Sequence, residues 1–390
     1  MRNCLRIAFF TDTFDELNGL ALTSRRFEEF ARRRGLPFLC IYAAEATKHM
    51  KKGTTTAVEL GRSRFAFGID SRMHFDPLLW RHSKYAAEAV TAFQADLIHI
   101  TSPGDAGQLG AYLAHSLRLP LVASWHTNLH EFAAWRLRKL LAFVPPRCRN
   151  FLSTVAQDEV LRAVIKFYKM ARVLLAPNED LVALLERTTG RLTYLMPRGV
   201  DSRLFSPARR DCHDGVFRLG FVGRLRPEKN VRFLAELEQA LISAGRTNYR
   251  FLIVGEGSER SWLERHLRNA DFTGLLEGEA LARAYANMDL FAFPSRTETF
   301  GNVVSEALAS GTPAVVTCYG GPKFLVQPGM SGHVASDNRD FVEATLSLMS
   351  DPERHTGLRE AARARACAFS WERVFEGVYE AYDKCLQIKQ

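Results

Sequence analysis

At 390 residues the chain exceeds one ordinary hydrophobic core, so two domains are expected. Its 47% hydrophobic and 24% charged content is that of a folded globular chain, and without a run of about eighteen apolar residues it offers no membrane-crossing helix. The formal net charge of +9 is lopsided, with 28 Lys and Arg against 18 Asp and Glu over residues 1–200, but 24 against 25 over residues 201–390. Such polarity suits a first half facing an anionic membrane or nucleic acid, the plain alternative being an uneven solvated surface. The first ten residues lack a signal-peptide pattern. Seven scattered cysteines without a C-x-x-C pair suit reduced thiols and a cytosolic chain.

In chain order, residues 5–11 form an apolar run that ends in a polar loop containing Asn18-Gly19. A helical stretch over 22–34 is stopped by Gly35 and Pro37. A further strand is expected at 38–42, with two more at 96–100 and 121–125, both of these last followed by a loop and a helix. A second start appears at 217–223, with strands at 250–255, 289–293 and 314–317 at the spacing of βαβ units. Between the halves, residues 196–207 carry Pro and Gly punctuation suited to a linker, with a hinge near residue 205. The expected architecture is α/β, two Rossmann-like doubly wound domains with a ligand cleft between them. The N-terminal domain takes residues 1–204, the C-terminal domain 205–373, and a final helix 374–390.

The chemistry concentrates around Glu298 and Glu306, which bracket Thr299-Phe300-Gly301-Asn302-Val303-Val304-Ser305 between a strand and a helix. Backbone N–H groups at that helix start form an anion site. One carboxylate stands at the loop mouth and the other about two turns into the helix, an arrangement that suits a nucleotide sugar. Gly223-Arg224, followed by Glu228-Lys229, places two cations after a strand and before a helix, where a diphosphate would sit. Gly19 lets backbone amides approach a ligand closely. His126 ends the strand at 121–125 and should project toward the ligand. His126 and His130 do not form H-E-x-x-H, so no metal site is expected. Residues 131–143 are amphipathic, with Phe132, Trp135, Leu140 and Phe143 flanked by Arg136, Arg138 and Lys139. Such a stretch suits a membrane interface or, equally, packing on the protein's own core. D-x-D, Walker A and first-strand G-x-G-x-x-G patterns are absent, which disfavours triphosphatase and NAD chemistry.

Together these residues resemble the retaining GT-B glycosyltransferases of family 4 over essentially the whole length. The resemblance rests on Thr11-Asp12-Thr13-Phe14 with Asn18-Gly19, Trp125-His126-Thr127, Arg198-Gly199-Val200-Asp201, Gly223-Arg224 with Glu228-Lys229, and Pro294 through Asn302. Similarity to the GDP-mannose-dependent α-mannosyltransferases rests on residues 297–303 and 198–201, segments that transferases with other donors also carry. Gly320-Gly321-Pro322-Lys323-Phe324 departs from many relatives, which have Glu at Lys323 or Phe324.

The resemblance implies a set of roles. Gly19 amides, Arg224 and Lys229 would meet the diphosphate, and Glu298 the donor-sugar hydroxyls, with backbone contacts from Phe300, Gly301 and Asn302. Glu306 would accept from the ribose, and His126 would contact the transferred sugar. Gly223, Gly255, Thr299 and Val303 complete the donor-binding set, and His126, Arg224, Lys229 and Glu298 the catalytic one. Asp12, Asn18, Trp135, Arg136, Arg138 and Lys139 are expected on the acceptor or membrane side. The implied reaction is retaining transfer of a hexose, mannose from GDP-mannose, to a lipid-linked or glycolipid acceptor. It would need no metal and would run peripherally on the inner face of the cell membrane. A UDP-sugar enzyme with a soluble or glycan acceptor is the alternative, and a nucleic-acid-binding protein a remote one.

Overall fold

The computed structural model describes residues 4–16, 19–70, 73–126, 128, 137, 141 and 145–388. The chain divides into two compact units, Met1–Pro197 with Glu372–Gln390, and Arg198–Trp371.

The first unit contains strands β1 (Ile7–Thr11), β2 (Phe38–Ala44), β3 (Lys48–Lys52), β4 (Thr55–Gly61), β5 (Phe67–Asp70), β6 (Met73–Phe75), β7 (Leu97–Ile100), β8 (Leu121–Ser124), β9 (Val173–Ala176) and β10 (Leu192–Leu195). Its main sheet runs β10-β9-β8-β7-β1-β2-β4-β3, and β5 pairs with β6 separately. β1, β2, β7, β8 and β9 are buried at every position, because helices cover both faces of a parallel sheet and each face must be apolar. β3 is the exception: it runs antiparallel to β4 at the sheet edge, and its Lys-rich sequence leaves it exposed. Edge lysines discourage strand addition by another chain. The sequence reading did not foresee β3, since a charged hairpin arm lacks the apolar run that marks a core strand.

The last helix, Trp371–Gln387, belongs to this first unit from Glu372 onward. Phe375 stacks on Phe27 at 4.4 Å, and Tyr379 and Tyr382 pack around the same ring. Two exposed ion pairs, Arg33 to Glu372 and Arg34 to Glu376, border that contact. Exposed pairs contribute about 0–1 kcal/mol each, so the buried aromatic cluster dominates the docking of this helix.

The second unit holds one sheet of parallel strands, β11 (Phe217–Val222), β12 (Tyr249–Val254), β13 (Ala270–Gly274), β14 (Leu290–Phe293), β15 (Ala314–Thr317) and β16 (Gly332–Ala335), in the order β13-β12-β11-β14-β15-β16. Chain direction across the sheet reverses between β11 and β14. Ligands in open α/β sheets bind outside the carboxyl ends of the strands at such a switch point.

The division falls at Pro197, ahead of the hinge expected near residue 205. Val200 and Phe205 are buried in the core of the second unit, and the Val200 N–H donates to Phe369 O at 3.1 Å. The Pro and Gly residues there shape the first segment of that unit rather than a free linker.

Candidate functional site

The switch point of the second unit gathers most of the residues expected from sequence to bind the donor. After β14, Pro294 and Ser295 lead into a loop that ends at Gly301 and the helix Asn302–Ala309. Gly301 caps that helix in the left-handed region at φ 100°, a conformation that L side chains rarely adopt. Because the helix begins at Asn302, Glu306 sits about one turn into it, not two.

Several contacts tie the loop to its neighbours. Thr297 Oγ1 donates to Glu228 O at 3.3 Å, and Asn230 Nδ2 to Pro294 O at 3.4 Å. Phe300 is buried in the core. The Gly321 N–H donates to Glu298 O at 2.8 Å. A Cβ on Gly321 would lie 2.2 Å from Thr299 O, and one on Gly320 2.5 Å from Glu298 O. The two glycines therefore let backbone press directly on the Glu298 loop.

Glu298 is surrounded by positive charge. Lys229, nearly buried at the end of the short turn Pro227–Lys229, donates through Nζ to Glu298 Oε1. Burial alone would raise the Glu298 carboxyl, but contact with Lys229 and the nearby Arg224 and Arg198 hold it below its ordinary value. Glu298 is thus held as an ionised group that only accepts hydrogen bonds. Arg224 is about half exposed and lies 3.9 Å from Glu228. It is the cation of this group most open to an incoming anion.

Arg198 was read from sequence only as part of a family motif, yet it stands beside the site. Its Nη1 is 3.5 Å from Asn302 Oδ1, and its Nε is buried without a hydrogen-bond partner among the described residues. Burial lowers its pKa to about 10, with Glu298 pulling the other way. Beyond that motif, nothing in the sequence signalled a role for this arginine apart from the apparent linker around it.

Glu306 behaves differently. Burial raises its carboxyl to about 7, partly offset by the Tyr285 hydroxyl, which donates to Oε2 at 2.9 Å. Gly223 and Gly255 lie at the ends of β11 and β12. The Gly223 N–H donates to Val254 O at 3.0 Å, and a Cβ on Gly255 would fall 2.0 Å from Gly223 O. Asn302 stands at the helix start, and Val303 packs against the core.

The first unit has its own switch point, between β1 and β7. Asp12 follows β1 and is only 5% exposed. Its carboxylate accepts from Ser102 Oγ and from the N–H groups of Ala106 at 3.0 Å and Gly107 at 3.3 Å, at the start of the helix Asp105–Ser116. Burial, then repulsion from Asp105, pushes Asp12 up to about 7. Asp12 therefore caps this helix from a distant part of the chain, with its carboxyl raised by burial and by the neighbouring Asp105. Gly19 opens the helix Gly19–Arg33.

His126 follows β8 and is 6% exposed, with Nε2 2.8 Å from Ser124 Oγ. Its neighbour Trp125 stacks on Tyr168 and donates to Asn128 Oδ1 at 3.0 Å. Asn18, Trp135, Arg136, Arg138 and Lys139 lie outside the described residues, as does nearly all of the amphipathic stretch 131–143.

Residues 216–351 match the family model "Glycosyl transferases group 1", and residues 60–204 match "Glycosyltransferase Family 4". The GDP-mannose-dependent alpha-mannosyltransferase of Mycolicibacterium smegmatis is 34% identical over 74% of this chain and 74% of its own length. A GDP-mannose-dependent alpha-(1-6)-phosphatidylinositol dimannoside mannosyltransferase of Mycobacterium tuberculosis is 34% identical over 54% of this chain and 60% of its own. Among solved structures, sucrose-phosphate synthase from Thermosynechococcus elongatus superposes with a TM-score of 0.70 over 97% of this chain and 98% of that one, at 18% identity. That likeness identifies the fold as GT-B. The chain belongs to glycosyltransferase family 4, among the group 1 glycosyltransferases, and is a hexosyl-transferring enzyme rather than a binding module.

Proposed function

We propose that the protein transfers mannose from GDP-mannose, with retention of anomeric configuration, to a lipid-linked or glycolipid acceptor at the cytoplasmic membrane face. The observation that carries this reading is Glu298, kept ionised by Lys229, Arg198 and Arg224 on the loop entering the helix Asn302–Ala309. A carboxylate there can accept from sugar hydroxyls while the cations and helix amides take the diphosphate.

In this reading Arg224 and Lys229 stabilise the leaving diphosphate. The acceptor oxygen forms its bond to the anomeric carbon as the bond to phosphate breaks, and the acceptor proton passes to a phosphate oxygen. Glu298 orients the sugar and is not a nucleophile. Glu306, with Tyr285 beside it, accepts from the ribose. On the first unit, the Gly19 amide contacts the diphosphate and His126 the transferred sugar. Gly223, Gly255, Thr299, Phe300, Gly301, Asn302 and Val303 shape the donor pocket.

The names of the mannosyltransferase relatives support the donor, and that of the phosphatidylinositol dimannoside enzyme supports a glycolipid acceptor. The basic first half suits an anionic surface, and among the described residues no helix is long and apolar enough to cross a membrane.

The test is donor turnover across GDP- and UDP-sugars, with the product's anomeric configuration read by NMR. Turnover of GDP-mannose with an α-linked product is expected. Preference for a UDP-sugar would overturn the donor assignment, and an inverted product the mechanism. Flotation with anionic vesicles tests the membrane part, and equal recovery in the soluble fraction with and without anionic lipid would overturn it.

A further inference from the structure

We propose that the Arg198 guanidinium binds the leaving diphosphate directly, beside the start of the helix Asn302–Ala309. The inference rests on the reading that the diphosphate lies at that helix start. It adds a third diphosphate-binding cation to Arg224 and Lys229, beyond the part Arg198 plays in keeping Glu298 ionised.

The charges around the loop do not balance. Lys229 Nζ contacts Glu298 Oε1, and Arg224 Nη2 lies 3.9 Å from Glu228 Oε1, so each of these cations has a carboxylate partner. Arg198 has no carboxylate in contact among the described residues, and Glu298 acts on it only through space. It nevertheless stays charged at neutral pH, since burial lowers its pKa only to about 10. The surplus positive charge of the cluster therefore resides on Arg198.

Its hydrogen bonds do not balance either. A guanidinium carries five N–H donors. Among the described residues Arg198 makes a single contact, Nη1 to Asn302 Oδ1 at 3.5 Å, beyond the usual length of such a bond. Its Nε is buried and unpartnered there, while part of the side chain stays accessible. A buried cationic donor left unmade is costly, and an anion that accepts from it removes the cost. Asn302 is the first residue of its helix, so the guanidinium stands where the helix amides and dipole favour the same anion. The planar fork of an arginine can take two oxygens of a phosphate.

The backbone that carries Arg198 is held in place. A Cβ on Gly199 would lie 2.5 Å from Trp371 N, and the Val200 N–H donates to Phe369 O at 3.1 Å. Two roles for the side chain then predict different losses. An arginine that only keeps Glu298 ionised matters to the donor sugar, and not to a diphosphate that carries none. One that binds phosphate oxygens matters to the free diphosphate as well. Arg198→Gln removes the charge, whereas Arg198→Lys keeps it and loses the fork.

The experiment titrates the full chain at pH 8 with GDP and GMP, and in parallel with UDP and UMP, by isothermal titration calorimetry. Glu298 is ionised at that pH in every Arg198 variant, because Lys229 and Arg224 remain beside it. In Arg198→Gln the diphosphate should bind about tenfold to hundredfold more weakly, the effect of a lost charge-assisted hydrogen bond, and the matching monophosphate less than about threefold. Arg198→Lys should weaken the diphosphate about threefold to tenfold, and it carries the test if circular dichroism shows Arg198→Gln to be misfolded. Glu298→Gln should not weaken the diphosphate. Unchanged diphosphate affinity in the Arg198 variants, or an equal loss for monophosphate and diphosphate, would overturn the contact. Failure of wild type to bind either diphosphate would instead overturn the reading of the site, and a preference for UDP only the donor base, with the Arg198 contact then read on UDP and UMP.

Discussion

Two carboxylates, Asp12 and Glu298, follow central strands of their respective sheets, and both lie near the start of a helix. Glu298 has Lys229 in contact, with Arg198 and Arg224 around it, and is held below its ordinary pKa. Asp12 has another carboxylate, Asp105, as its neighbour, and is raised to about 7. The helix also uses them differently. Asp12 accepts from its first N–H groups, whereas Glu298 leaves the amides of the helix Asn302–Ala309 to other acceptors. Position on the fold does not assign the role; the neighbouring charge does.

The sharpest way to break this contrast is Glu298→Gln, which keeps the shape and removes the charge. Donor turnover should fall about 100-fold, as expected when a charge-assisted contact to substrate is lost, with circular dichroism unchanged. Near-normal turnover would place Glu298 with Asp12 as a structural group.

A smaller effect is expected from Gly321→Ala, which forces the Glu298 loop off its support because the new carbon meets Thr299 O. Overpacking of this kind costs about 1–3 kcal/mol in denaturant unfolding, and the displaced loop should lower turnover about tenfold. Gly357→Ala is the control. Nothing lies within 4 Å of its added carbon in the helix Pro352–Cys367, so stability should hold or rise.

The smallest effects belong to Asp12. Its folded pKa is raised from 3.8 to about 7, so across that window the unfolded chain loses its proton first and stability falls as pH rises. Asp12→Asn, whose amide can donate to Asp105 without titrating, should flatten this loss in urea midpoints measured at pH 4 and pH 8. Asp12→Ala should instead cost about 1 kcal/mol at either pH through the missing cap. Identical pH dependence in wild type and Asp12→Asn would remove the account of a raised Asp12 carboxyl.

The eight strands expected from sequence were legible to within two residues, because two-sided burial writes them as apolar runs such as Ile7–Thr11 and Ala314–Thr317. The parallel strands β4, β9, β10, β13 and β16 were not foreseen. The loop around Glu298 was legible because its chemistry is local in sequence. The role of Asp12 was not, since the amides that it caps lie 94 and 95 positions away. A hydrogen bond between His99 and Tyr382 spans 283 positions and leaves no periodic trace. Arg198 was hidden by the Pro and Gly residues around it, which read as a linker although Val200 and Phe205 fold into a core.

The closing helix has a consequence for biosynthesis. The unit begun by the first residues contains Glu372–Gln390, so it cannot be completed until the ribosome has released nearly the whole chain, whereas Arg198–Trp371 is contiguous. The nascent chain can therefore finish its later-translated half first, while the aromatic floor around Phe27 waits uncovered for Phe375 and Tyr382.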